Sequence, residues 1–207
     1  IKKIISVRGG VDVLPARQYF EQGEFIPFEN RIYDACFVGR FHYQKGILEL
    51  IHIWKKVCKI RPQSRIAIVG IGPLEEKIHR LINHMGLQAN IDLLGFLNGA
   101  DKYDVFKKSK IIVHPAIYDS GGMAPAEAMA WGLPGVAFDL EALKTYYPKG
   151  MLKTECFDLD VFANNILYLL SDSNAHLTLS QEASKLIREF WDWDQQAQNI
   201  FHQVIKL

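Results

Sequence analysis

Three short segments carry residue types suited to anion and sugar chemistry, and each lies where an apolar run gives way to a helical pattern. The first, Gly39-Arg40-Phe41-His42-Tyr43-Gln44-Lys45-Gly46, sets two cations between the end of one element and the start of the next. A guanidinium such as Arg40 can fork onto phosphate oxygens, and the Lys45 ammonium adds a mobile point charge. A pair of solvated loop cations is the plainer alternative. The second, Gly70-Ile71-Gly72-Pro73, holds two glycines of a dinucleotide fingerprint, but Glu75 stands where the third would be and Pro73 reads as the first residue of a helix. This argues against a nicotinamide cofactor and for a tight turn at which a ligand can approach the backbone.

The third segment, Asp119-Ser120-Gly121-Gly122-Met123-Ala124-Pro125-Ala126-Glu127, is the most informative. Gly121 and Gly122 leave bare backbone N–H groups at a helix start, a ready anion site. Glu127 falls one turn into that helix, where a carboxylate suits sugar hydroxyls better than a phosphate. Taken singly, Asp119 reads as a helix-start residue and Glu127 as a surface charge. His42 and His114 also fall at crossings, but a lone histidine is more often structural, and neither is assigned as a base.

The elements that must position these segments alternate. Ala35 to Val38, Arg65 to Val69, Ile91 to Leu94, Ile111 to Val113 and Gly135 to Phe138 read as strands. Between them, Ile47 to Cys58, Leu74 to Met85, a shorter stretch around Tyr103 and Phe106, and Ala124 to Trp131 show helical spacing. The pattern predicts an α/β fold, a Rossmann-like open parallel sheet with helices on both faces, which binds ligands beyond the carboxyl ends of its strands. The last third reads as mostly helical, around Phe162 to Leu170, Leu177 to Phe190 and Trp193 to Ile205. At the other end, Ile4 to Val7 reads as a strand, whereas Gly9, Gly10, Pro15, Gly23 and Pro27 mark a turn-rich stretch, so residues 1–32 are expected to be a connector and residues 33–207 the domain.

Composition narrows the function classes. With 24 Lys+Arg against 23 Asp+Glu and a net charge of +1, the 207 residues lack the basic footprint of a nucleic-acid binder or a polybasic membrane anchor. Cys36, Cys58 and Cys156 are odd in number and widely spaced, so neither a disulfide framework nor a zinc site is expected. No apolar run approaches the length of a membrane span and no secretory signal precedes the sheet, which points to a reducing, cytoplasmic setting. A start at Ile1 rather than Met points to a piece of a longer protein.

Together the segments resemble the C-terminal nucleotide-sugar-binding domain of glycosyltransferase family 4, the glycosyl transferases group 1, of the two-domain GT-B fold. The resemblance runs from Gly9 to Leu207. Gly9-Gly10-Val11-Asp12 is similar to the family's N-G-V-D segment, and Gly39-Arg40 with Lys45-Gly46 to its phosphate-contact motif. Val69-Gly70-Ile71-Gly72-Pro73-Leu74 is similar to its V-G-x-G-P-L turn, Leu94-Gly95-Phe96-Leu97 to its base-contacting turn, and Asp119 to Glu127 to its E-x7-E signature. Two departures stand out: Asp119 replaces the usual Glu, and Gly121-Gly122 replaces an aromatic-glycine pair.

The resemblance implies a nucleoside-diphosphate sugar as donor, transfer with retention, and no metal or cofactor. Arg40, Lys45 and the N–H groups near Gly122 and Met123 would stabilise the leaving diphosphate. Asp119 would hold the transferred sugar, Glu127 the ribose hydroxyls, and backbone near Phe96 and Leu97 the base, with Gly39, Gly72, Ser120 and Gly121 completing the donor site. It further implies an N-terminal acceptor-binding domain outside these residues, through which peripheral membrane association would occur. Trp191 and Trp193 precede the helix that similar proteins pack against that domain, with core packing the alternative. A catalytically lapsed sugar-nucleotide-binding or scaffolding module is the competing reading of the same motifs.

Overall fold

The computed structural model of the chain describes residues 9–23 and 25–205; the strand expected at Ile4 to Val7 lies outside them. Strands β1 (Tyr33–Val38), β2 (Ile66–Val69), β3 (Ile91–Leu93), β4 (Ser109–His114), β5 (Gly135–Phe138) and β6 (Met151–Thr154) form one sheet in the order β3-β2-β1-β4-β5-β6. Every pairing is parallel. This doubly wound order reverses direction between β1 and β4, which opens a crevice at their carboxyl ends.

The helices are α1 (Leu14–Glu21), α2 (Ile47–Ile60), α3 (Glu75–Met85), α4 (Gly99–Lys107), α5 (Met123–Ala130), α6 (Glu141–Tyr146), α7 (Leu159–Ser171), α8 (Ser173–Phe190) and α9 (Trp193–Ile205). They cover both faces, and the strand residues divide by parity. Ile66, Ile68, Ile111, Val113, Val136 and Phe138 pack with the buried faces of α2, α3 and α7. Their neighbours Ala67, Ile112 and Ala137, with Cys36 of β1, face the layer that holds Phe106, Met129, Trp131 and Ile187. Strands buried on both faces read as continuous apolar runs, which is why β1, β2, β4 and β5 are visible in the sequence. Asp158 and Asp172 cap α7 and α8, accepting from the N–H groups of Val161 at 3.0 Å and Ala175 at 2.9 Å.

Several expectations change. The turn-rich N-terminal stretch contains α1, with Pro15 in its first turn, where a fixed φ and a missing N–H cost nothing. Ahead of it, Val11 is tied in by backbone bonds to Trp191 (2.8 Å) and Trp193 (3.1 Å). Pro73 does not open α3: the cap is Leu74, and a turn precedes it in which the Glu75 N–H donates to the Gly72 carbonyl at 3.1 Å. The last third also holds β6, an edge strand whose Leu152 and Lys153 are only half-buried, so no apolar run announces it. The two tryptophans separate: Trp191 is buried and stacks on Tyr147 at 5.3 Å, while Trp193 is exposed. All three cysteines are free thiols, and burial pushes Cys36 up to about 12 and Cys58 to about 11, which disfavours the thiolate of these two.

Candidate functional site

The loops that leave β1 and β4 are stitched together by the N–H groups of Ile117 (3.0 Å) and Tyr118 (3.3 Å), which both donate to the Gln44 carbonyl. The approach is so close that a Cβ on Gly46, whose φ is +63°, would stand 1.7 Å from the Pro115 carbonyl oxygen. That packing delivers Lys45 to the Asp119 segment. The loop after β2 is pressed on the same crossing: a Cβ on Gly70 would lie 1.9 Å from the Gly39 carbonyl oxygen, and one on Gly72 2.6 Å from that of Phe41. The backbone that approaches these glycines closely is therefore that of the neighbouring loop.

A cleft of about 540 Å³ opens at this edge. Its lining brings together Gly39, Lys45, Asp119, Ser120, Gly121, Gly122, Met123 and Glu127 from the sequence reading, and adds His114 and Trp191. Arg40, Gly72, Phe96 and Leu97 are not among the lining residues. Arg40 is exposed beside the cleft, with no side-chain partner among the described residues. Phe96, 67% exposed, follows β3 at the edge of the sheet.

Asp119 is the most heavily engaged group. Its Oδ1 accepts from the N–H groups of Gly121 (3.1 Å) and Gly122 (2.8 Å), so the two N–H groups expected to be bare are taken by the neighbouring carboxylate, while Oδ2 meets Lys45 Nζ at 2.6 Å and His114 Nε2 at 3.1 Å. The side chain is 7% exposed. Burial alone would raise its pKa, but the hydrogen bonds from His114 and Lys45, the electrostatic influence of His114 and the Gly122 N–H outweigh it and hold the carboxyl well below the usual range. Gly122 itself caps α5 in a left-handed conformation, and its carbonyl accepts from the Tyr147 hydroxyl. Burial keeps that phenol protonated far above its ordinary range, so it acts as a donor throughout.

Glu127 lines the cleft, and its carboxylate is held by Lys102 of α4, Nζ to Oε2 at 2.8 Å. Sequence reasoning missed Lys102 because nothing in its neighbourhood distinguishes it from other helix-surface lysines. It also missed Tyr147, which closes α6, a helix too short to show periodicity. His114 was weighed and set aside; it ends β4 and only the returning loop gives it Asp119 as a partner. No group of three or more metal-ligating side chains occurs among the described residues, and none of their helices is long and apolar enough to cross a membrane.

A family-wide sequence model described as glycosyl transferases group 1 matches residues 22–186. An uncharacterized glycosyltransferase of Methanocaldococcus jannaschii is 29% identical over 165 residues, covering 76% of this chain and 41% of that protein. The chain spans 24% of a second relative, the poly(glycerol-phosphate) alpha-glucosyltransferase of Bacillus subtilis, at 25% identity. Among solved structures, the C-terminal domain of a glycosyl transferase group 1 family protein from Francisella tularensis superposes with a TM-score of 0.73 at 18% identity, over 89% of this chain and 100% of that one. HepE of Anabaena, solved with UDP, gives 0.80 at 20% identity over 97% and 57%. The shared fold is thus that of a glycosyltransferase C-terminal domain.

Proposed function

This chain belongs to the glycosyl transferases group 1 family, and from that premise we propose that it forms the donor-binding part of a glycosyltransferase that takes a sugar from a nucleoside diphosphate and passes it, with retention, to an acceptor. The observation that carries the reading is the cleft itself, in which Lys45 stands beside the glycine-rich start of α5 where the sheet order reverses. Solved relatives bound to UDP lend it support. In transfer, the bond from the anomeric carbon to the diphosphate breaks with its electron pair on the phosphate oxygen. The acceptor oxygen bonds to that carbon and gives up its proton to the departing diphosphate oxygen. Lys45 keeps N–H groups beyond the one directed at Asp119, and these, with Arg40 and the N–H groups of Met123 and Ala124 that open α5, oppose the charge growing on the leaving group. Glu127 holds ribose hydroxyls, and backbone near Phe96 and Leu97 receives the base.

Asp119 acts in this reading mainly by fixing Lys45 and the Gly121-Gly122 turn, because both of its oxygens already accept from the protein. A sugar hydroxyl would share those oxygens. The same observation favours the second reading, a module that binds the sugar nucleotide without transfer. Acceptor binding belongs to a further domain of the kind found in two-domain enzymes, and the isolated chain binds donor without transferring it.

A thermal-shift panel of UDP-, GDP- and ADP-sugars tests the assignment. A donor at a hundredfold over its dissociation constant adds about 2.7 kcal/mol of stability, and one of the three is expected to raise the melting temperature. No shift with any of them removes the donor-binding reading. Sugar transfer by a chain that carries both domains separates the enzyme from the lapsed module.

A further inference from the structure

We propose that Lys102 is a positioning residue that sets the chain's preference for ribonucleotides by aiming the Glu127 carboxylate. This rests on the reading above that Glu127 meets the ribose. Lys102 sits on α4, its side chain 16% exposed, and Nζ binds Oε2 of Glu127 at 2.8 Å. Glu127 lines the cleft and Lys102 does not, so the ammonium holds the carboxylate without being part of the lining itself. Only Oε2 is taken among the described residues, which leaves Oε1 able to accept from a ligand.

Geometry gives the contact its use. Glu127 lies in the middle of α5, a helix fixed against the core by buried Ala126, Ala128 and Met129, so its backbone cannot shift to follow a ligand. Its side chain has rotatable bonds, and a free glutamate would lose that freedom on binding. Lys102 removes it beforehand, because a charge-assisted bond on one oxygen fixes where the other points. A vicinal diol can then donate to a carboxylate already oriented, whereas a ligand without ribose hydroxyls gains nothing. The effect is confined to ligands that carry the diol. This distinguishes orientation from a general contribution to folding or to phosphate attraction.

Calorimetry with UDP, GDP and ADP, each paired with its 2′,3′-dideoxy form, tests this in the chain as it stands and in Lys102→Met, Lys102→Arg and Glu127→Gln. The unsubstituted chain is expected to bind its preferred ribonucleotide about tenfold or more tighter than the dideoxy form, the scale of a charge-assisted hydrogen bond. Glu127→Gln narrows that ratio. Lys102→Met narrows it as well, to about threefold or less, with dideoxy affinity unchanged, and Lys102→Arg restores it. Loss of affinity for both forms in equal measure in Lys102→Met would show a structural or phosphate-directed role and overturn the proposal. An unaltered ratio in Lys102→Met, with the ratio present in the unsubstituted chain and lost in Glu127→Gln, overturns Lys102's role alone. A ratio near one in the unsubstituted chain overturns the ribose contact of Glu127 together with the role of Lys102. Should Lys102→Met fail to fold, Lys102→Gln decides in its place, since a neutral amide gives no charge-assisted bond and must narrow the ratio, an unaltered ratio overturning the proposal.

Discussion

Two backbone N–H groups, a lysine and a histidine converge on Asp119, and this crowding makes a residue that reads as a sugar ligand serve equally as a brace. Its folded pKa is depressed, so ionised Asp119 adds stability that is fully present above the unfolded value of about 3.9 and is lost as the pH falls below it. Asp119→Asn turns an amide N–H toward Lys45 and is expected to cost about 1–3 kcal/mol at pH 7. In melts between pH 7 and pH 3 the variant should lose less stability on acidification than the unsubstituted chain; parallel curves would show that Asp119 contributes no linkage. The two cations divide differently. Arg40→Ala and Lys45→Ala should each weaken nucleoside diphosphate by about 1.5–3 kcal/mol and leave the nucleoside nearly unaffected, as read by calorimetry. Lys45→Ala should also lower the melting temperature, since it strips Asp119 of a partner, whereas exposed Arg40 has none to lose among the described residues.

The crossing after β1 depends on a glycine at the start of α2. Gly46 combines a left-handed backbone with a neighbour that leaves no room for a Cβ, the carbonyl oxygen of Pro115. Gly86, which ends α3, has the same handedness at φ +65° but open space around it. The pair separates conformational strain from steric conflict. Gly86→Ala should cost about 1–2 kcal/mol, the left-handed penalty alone. Gly46→Ala must also push the β1 and β4 loops apart, so urea unfolding should show a clearly larger loss, and nucleotide affinity should fall with it because Lys45 moves. Equal losses at the two sites would mean that the loops yield easily and that their contact does not hold the cleft in shape.

For the whole molecule, the reversal of the strand order fixes one carboxyl edge as the place for a ligand, and the cleft there is partly open to solvent. Chemistry on a sugar donor needs such a cleft closed and water kept out. The 207 residues alone are therefore expected to bind donor yet show no transfer to any acceptor; turnover at the rate of an intact enzyme would overturn the division of labour between two domains. Apolar side chains on α9, among them Trp193, Phe201, Val204 and Ile205, are exposed, and this helix buries none of its residues against the rest of the chain.

By itself the sequence determined the β/α alternation, because strands buried on both faces must be apolar throughout and helices on a sheet must repeat their apolar positions at helical spacing. It also singled out residues that the fold gathers: Lys45, Asp119, Gly121, Gly122 and Glu127 line one cleft. Short or marginal elements stayed hidden. α6 is too brief to show a period, β6 lies at an edge with half its residues partly exposed, and Pro15 reads as a breaker although it opens a helix. Only the tertiary structure decided which partners each charge has. The bonds from Lys45 to Asp119 and from Lys102 to Glu127 span 74 and 25 residues, and no local pattern encodes them, because a hydrogen bond depends on where two loops are brought by the packing of the sheet.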